Sequence, residues 1–303
     1  MIKRTLCIEN PCHLKCRNDQ LVVSYEHIKG YEDRPEKIVP IEDIGMIVLE
    51  HRQITISHYL LDRLLLNNAS VVTCNETMHP SGMMLSLEGH TLQSERFRAQ
   101  VEATEPLKKQ LWQQTVKAKI SNQAAILKKW NIQHTYLSKL AQAVKSGDAD
   151  NSEAKAAVYY WSNLFPPAWQ FFRKREGPPP NNLLNYGYAI LRATVARAVV
   201  GAGLLPTLGI FHRNRYNAYC LADDMMEPYR PFVDLLVRGI IDKTSAVQVL
   251  SREIKVELLK IPTMDVVLED GTSPLMVATQ RTATSMARCF TGEQRKILYP
   301  EIP

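Results

Sequence analysis

Hydrophobic and polar positions alternate in short runs over the first third of the chain. "RTLCIE", "HLKCRNDQLVVSYE", "KIVPIEDIGMIVLE" and "QITIS" are rich in β-branched residues and punctuated by Pro, Gly, Asn and Asp, which predicts a meander of strands with "RNDQ" as a hairpin turn. Ser57 stands as an N-cap before "HYLLDRLLLNNA", whose leucines form one apolar stripe, and "SVVTCNE" resumes as a strand. From about residue 95 the period changes to that of helices. "EPLKKQLWQQTVKAKISNQAAILKKW", "NSEAKAAVYYWSNLF", "NNLLNYGYAILRATVARAVVGAG" and "YRPFVDLLVRGIID" follow one another, separated by the loop chemistry of "GDADNS", "KREGPPPNN" and "GLLPTLG". The expected fold class is α+β: a β-rich domain over residues 1–95, then a larger all-α helical bundle over residues 96–303.

Composition narrows the setting. The 303 residues are 45% hydrophobic, enough to fill real cores. No apolar stretch approaches the roughly 20 residues of a membrane span, and "MIKRTLCIENPCHL" lacks the apolar centre of a signal peptide, so a cytoplasmic protein is expected. Six cysteines show neither paired CxxC motifs nor a disulfide framework; Cys7, Cys12 and Cys16 lack a fourth zinc ligand at a suitable spacing and are expected to pack as reduced thiols.

Charge is distributed unevenly. Residues 1–104 hold 11 Lys and Arg against 14 Asp and Glu, a net of −3, and residues 105–303 hold 26 against 17, a net of +9. Such asymmetry suits a polyanion-binding region joined to one with another task, although a mild excess is also what a solvated surface carries. The tryptophans at 112, 130, 161 and 169, with Tyr159 and Tyr160, lie at helical spacing and are expected in the core rather than stacked on bases. Gly187, inside a helix, is expected to permit close helix packing.

The chemistry concentrates in "GIFHRNRYNAYCLADDMMEPYRPFVD", residues 209–234. His212 follows the "GLLPTLG" break, and "NAYCLADDMMEPYRP" reads as a helix limited by Pro228. On a helix Asp224 and Glu227 share a face with Cβ atoms about 5–6 Å apart. Two carboxylates that close call for a cation between them, a divalent metal or a basic side chain such as Arg213, Arg215 or Arg230. Glu153, at the start of the helix in "DADNSEAKAAVYYWSNLF", adds a third acid or serves as a first-turn charge behind an Asn151 or Ser152 cap. Two acids and an imidazole form an open site of the kind that suits Mg²⁺ or Mn²⁺, and neighbouring arginines suit phosphodiester chemistry.

In order and spacing, "NSEAKAAVYYWSNLF", "NNLLNYGYAILRATVARAVVGAGLLPTLGIFH" and "LADDMMEPYRPFVD" resemble the spacer-acquisition integrase common to CRISPR adaptation systems, in its compact type II form. The resemblance spans nearly the whole chain. It implies a metal-binding triad of Glu153, His212 and Glu227, with Asp224 as a further metal ligand and Asp223 as a third candidate for the acid. It also implies a metal-dependent endonuclease and integrase in which each 3′-OH of a short DNA fragment attacks a phosphodiester at the leader-proximal repeat. Lys117, Lys119, Lys128, Lys129, Arg213 and Arg215 are candidates for the phosphate track, although any one of the lysines also fits a plain helix surface. The implied partners are double-stranded DNA (protospacer fragment and leader-repeat), a second copy joined through the β domain, and a small ferredoxin-like adaptation protein bridging two such homodimers into a four-plus-two assembly. The type II RNA-guided effector nuclease is a further implied partner. Two other classes fit the same residues: a metal-dependent nuclease of another repair or defence pathway, and a non-catalytic DNA-binding scaffold.

Overall fold

The computed structural model describes residues 3–244 and 247–302. Contacts divide the chain into two compact units, residues 1–89 and residues 90–303.

The first unit contains β1 (Arg4–Ile8), β2 (Cys12–Arg17), β3 (Gln20–Ser24), β4 (Lys37–Pro40), β5 (Ile44–Leu49), β6 (Ile54–Ile56), α1 (His58–Leu66), β7 (Ser70–Cys74) and β8 (Pro80–Met84). Asn18 and Asp19 both take positive φ, 52° and 54°, between paired Arg17 and Gln20, so the expected hairpin turn is a two-residue turn of the primed kind. Ser57 caps α1, its hydroxyl accepting from the Leu60 amide at 3.3 Å. The strands do not form a meander, however. They form two four-stranded sheets, ordered β1-β5-β7-β8 and β4-β3-β2-β6, in which β1 with β5, β5 with β7 and β2 with β6 are parallel. Parallel neighbours need long crossovers, and local alternation carries no information on which strands those crossovers bring together. Leu14, Leu21, Ile44, Ile47, Leu60, Leu64 and Val71 fill the core, which explains the β-branched and leucine-rich runs.

The second unit contains α2 (Gln93–Glu102), α3 (Glu105–Lys129), α4 (Thr135–Ala143), α5 (Ser152–Leu164), α6 (Asn181–Gly201), α7 (Cys220–Met226), α8 (Arg230–Ile241), α9 (Arg252–Leu258), β9 (Asp265–Leu268), β10 (Gly271–Pro274) and α10 (Leu275–Thr291). It is mostly helical rather than all-α: "DVVLEDGTSP" pairs as an antiparallel hairpin around Glu269 and Asp270. Thr104 caps the 25-residue α3, accepting from Leu107, and Pro106 occupies its first turn. Trp112, Tyr160, Tyr186, Tyr229 and Phe232 are fully buried between the helices. Trp112 meets the core expectation, whereas Trp130, Trp161 and Trp169 are only half-buried. Gly187 on α6 faces α8 closely enough that a Cβ would sit 2.5 Å from Val233 Cγ1, as its place inside a helix predicted.

No helix among the described residues is long and apolar enough to cross a membrane.

Candidate active site

Glu153 begins α5, but it does not cap it. Asn151 is left-handed and gives no side-chain cap; instead Asp148, buried in the preceding turn, accepts from the Ser152 amide at 2.8 Å and the Glu153 amide at 3.0 Å. The helix-start function is thereby discharged by another acid, and the Glu153 side chain is left for the centre.

The segment of residues 220–241 is two helices joined by a single 3-10 turn, Glu227–Tyr229, rather than one helix stopped by Pro228. The two acids that share a face in the sequence separate at this joint. Asp224, fully buried, turns into the loop that carries His212: Oδ2 accepts from the amides of Ile210 and Phe211 at 2.7 and 2.9 Å, and Oδ1 accepts from the His212 amide at 3.2 Å. His212 Nδ1 lies 2.5 Å from the same Oδ1. Gly209 makes this wrapping possible, because a Cβ there would lie 2.5 Å from the His212 carbonyl oxygen and 2.7 Å from Asp224 Oδ2. Four acceptor positions of Asp224 are therefore occupied, and its side-chain partner is His212 rather than Glu227. Asp223 is likewise engaged, by Arg192 at 2.7 and 3.1 Å and by Asn217 at 2.7 Å.

Glu227 and Glu153 converge on one cation. Lys119 Nζ, reached from α3, is 2.6 Å from Glu153 Oε1 and 2.5 Å from Glu227 Oε2. Arg230 Nε approaches Glu227 Oε1 at 2.8 Å. The contacts to Glu227 are close but misaligned: Oε2 and Arg230 Nε are buried atoms without a hydrogen bond of proper geometry. Burial would raise the Glu227 pKa, yet Arg230 and Lys119 hold its carboxyl down at about 2. The Lys119 ammonium is disfavoured by burial and held by Glu227 and Glu153, which raise it above its ordinary value. His212 is raised by its bond to Asp224, with burial opposing and the charges of Glu227 and Glu153 adding to the effect. Because Nδ1 is engaged by Asp224, Nε2 is the ring nitrogen left for a ligand.

The structure thus brings Glu153 and Glu227 together on Lys119, sets His212 against Asp224, and engages Asp223 with Arg192 and Asn217. Lys119 is neither a phosphate-track lysine on the surface nor a plain helix charge. Positions 117 and 119 differ by roughly 200° around a helix, so Lys117 is exposed while Lys119 is turned inward. Lys128 and Lys129 are exposed at the end of α3. Arg213 is paired with Glu105 at 2.7 Å, and the Arg215 guanidinium lies 4.6 Å from the centre of the Tyr216 ring. Both arginines, with Lys108 and His212, line an open cleft. Sequence reasoning missed Asp148, Gly209 and Arg192, and gave Lys119 the wrong surroundings. The one signal for Arg230 was its i,i+3 spacing from Glu227.

Among the described residues, Cys7, Glu9 and Glu50 are the group whose ligand-type atoms all lie within 4.8 Å of one another. It lies in the first unit and joins Cys7 to two acids rather than to Cys12 and Cys16. The atoms of Glu153, His212 and Glu227 are spread more widely, with the Lys119 ammonium between the two acids.

Residues 6–249 match the family model described as CRISPR associated protein Cas1. The chain is 35% identical over 305 aligned residues to a CRISPR-associated endonuclease Cas1 of Neisseria meningitidis serogroup C, covering 100% of this chain and 97% of the relative. The chain belongs to the Cas1 family. A second relative, the endonuclease Cas1 2 of Pyrobaculum aerophilum, is 30% identical with 72% of this chain and 78% of its own length covered. Among solved structures, a casposase bound to integration product superposes with a TM-score of 0.78 at 20% identity, covering 98% of this chain and 92% of that one. A Thermotoga maritima CAS1 protein does so at 0.73 and 17%, covering 96% and 98%. These two likenesses show the shared fold. As a Cas1 family member the protein is an endonuclease and integrase of CRISPR adaptation.

Proposed function

We propose that Glu153, His212 and Glu227 hold a divalent metal, Mg²⁺ or Mn²⁺, and that this centre joins the 3′-OH ends of short DNA fragments to the CRISPR repeat. The observation that carries the reading is the convergence of two acids from separate helices on a single buried cation, with Glu227 Oε2 lacking a proper hydrogen bond. A buried carboxylate oxygen with an ion-pair contact but no well-aligned hydrogen bond, a second carboxylate and an imidazole with Nε2 to offer are hard oxygen donors plus one nitrogen, and this donor set fits Mg²⁺ or Mn²⁺. When bound, such a metal polarises a phosphoryl oxygen and lowers the pKa of a coordinated hydroxyl.

The chain's own residues do the rest. Asp224 fixes the imidazole through Nδ1, and the 209–212 loop fixes Asp224. Lys108, Arg213 and Arg215 in the adjoining cleft orient phosphates by charge. In the joining step the fragment's 3′-oxygen gives its proton to solvent and bonds to phosphorus, while the repeat strand's P–O3′ bond breaks and that oxygen leaves with the bonding pair and takes a proton from solvent. Water in place of the 3′-OH gives cleavage.

The first unit, with net charge −3 over residues 1–89 against +9 over residues 90–303, is assigned to homodimer assembly and the second to DNA. Solved neighbours titled Cas6-RT-Cas1–Cas2 complex and TtCas1-DNA complex support Cas2 and DNA as partners; duplex DNA, the four-plus-two assembly with the small adaptation protein and the cytoplasmic setting rest on the family resemblance. The type II effector nuclease remains a partner by resemblance. Glu153→Ala, His212→Ala and Glu227→Ala are each expected to abolish joining and cleavage on a leader-repeat plasmid, with an unchanged circular dichroism spectrum. Full activity in any two removes the assignment.

A further inference from the structure

We propose that Lys119 is the resident counter-cation of the carboxylate pair and competes with divalent metal for the place between Glu153 and Glu227, so that it sets the metal affinity of the centre. This rests on the metal reading above. The Lys119 ammonium is 2.6 Å from one acid and 2.5 Å from the other, and its side chain is only 12% exposed. Without metal the charges already balance, two carboxylates against Lys119 and Arg230. A divalent ion beside an unmoved ammonium would bring two cations into contact in a poorly hydrated pocket, where their repulsion is weakly screened.

One of the two basic groups must yield, and their surroundings say which. Arg230 is confined on two sides, with Nε 2.8 Å from Glu227 Oε1 and its guanidinium 4.7 Å from the centre of the Tyr188 ring. Lys119 is a compact charge on a flexible four-carbon stem, held by the acid pair. Its place between the oxygens is also where the misaligned Glu227 Oε2 gains most from a cation that imposes no donor geometry. Lys119 therefore keeps two buried acids from repelling each other in the metal-free protein, at the expense of metal affinity.

The test is Mn²⁺ titration by calorimetry on the full chain at pH 8, with wild type, Lys119→Met and Glu153→Ala. Lys119→Met should bind Mn²⁺ about tenfold more tightly than wild type, the size of an ordinary coupling between sites. The rise in melting temperature on adding Mn²⁺ should also be larger in Lys119→Met, because the metal then relieves an uncompensated acid pair. A purely structural lysine would instead weaken or leave unchanged the metal affinity when removed. If Lys119→Met does not fold without metal, Lys119→Gln carries the same comparison, since its amide can donate to both acids without charge. Unchanged or weaker binding in the neutral variant, with wild-type binding intact and lost in Glu153→Ala, overturns the competition and leaves the metal site standing. Mn²⁺ binding that Glu153→Ala does not diminish, or no binding by wild type, overturns the site itself.

Discussion

Asp224 holds His212: one carboxylate oxygen lies 2.5 Å from Nδ1, and the pair of oxygens also accepts the amides of residues 210, 211 and 212. The acid nearest in sequence to the centre thus acts through the histidine. Asp224→Ala should slow DNA joining about 10–100-fold, the usual cost of losing a group that orients a ligating histidine. It should also destabilise the protein by about 1–3 kcal/mol, because three backbone donors lose their acceptor. Kinetics of joining and urea melts measure the two effects; loss of Mn²⁺ binding as complete as in Glu227→Ala would make Asp224 a ligand.

Gly209 permits that grip. A methyl group there meets the His212 carbonyl oxygen at 2.5 Å and Asp224 Oδ2 at 2.7 Å, neither of which can retreat without breaking a bond of the loop. Gly209→Ala should cost about 1–3 kcal/mol of stability and lower joining with it. Gly239→Ala, where nothing lies within 4 Å of the added carbon, is the control expected to be silent or mildly stabilising in a helix. Equal melting temperatures for the two variants would contradict the packing.

Asp148 starts the helix that presents Glu153. Removing its carboxylate in Asp148→Ala leaves the Ser152 and Glu153 amides uncapped and should cost about 1 kcal/mol. Frayed first-turn geometry displaces Glu153, so Mn²⁺ affinity should fall in Asp148→Ala and recover largely in Asp148→Asn, which keeps one acceptor. Identical affinity in all three proteins would separate the cap from the centre.

Asp234 supplies a pH signature from a buried carboxyl outside the proposed triad. Burial pushes its carboxyl up to about 7, while the hydroxyls of Tyr188 and Tyr160, donating at 2.5 and 3.0 Å, and the charges of Arg230 and Arg173 oppose the rise. A carboxyl raised on folding stays protonated in the folded state between its unfolded value of 3.8 and about 7 while the unfolded chain ionises, so stability falls as pH rises through that window and levels off above it. Asp234→Asn removes the titration. Its stability relative to wild type should therefore climb from pH 4 to pH 7, as read from urea melts; a flat difference would show that Asp234 is ionised throughout.

Lys117 and Arg215 are the exposed basic positions from which DNA contact is testable without disturbing the centre. Each replacement by Ala that removes a phosphate contact should lower the log-log salt slope of duplex binding by about 0.9. Fluorescence anisotropy over a salt series measures it, and an unchanged slope takes that residue off the phosphate track. Lys119 is excluded from this pair because an Ala there would leave Glu153 and Glu227 without the cation they share.

Much of the fold was legible because helical periodicity and turn chemistry are local. The long α3, the Ser57 cap, the Asn18–Asp19 turn and the close packing at Gly187 all follow from neighbours a few residues apart. The family motifs named Glu153, His212 and Glu227 together; two of them, Glu153 and Glu227, meet on Lys119. The strand pairing was not legible, since parallel partners such as β1 and β5 are joined through crossovers whose ends carry no mark of each other. The β9–β10 hairpin was missed for a different reason: "DVVLEDGTSP" is short and lies between helical stretches, although its Asp-Gly pair is a turn signal.

By itself the sequence determined that a β-rich unit is followed by a helical, basic one, and which side chains of the family's motif the chain carries. Those properties depend on periodicity, charge and residue identity, which are read one position at a time. Only the tertiary structure decided how the acids divide their work. Asp224 and Glu227 are three residues apart, yet a loop folded over Gly209 claims the first and a lysine from α3 meets the second. Those partners lie 12 to 15 and 108 residues away in sequence, and a buried carboxylate takes whichever donors the packed helices bring within reach, because leaving it unpaired costs more than any local preference offers.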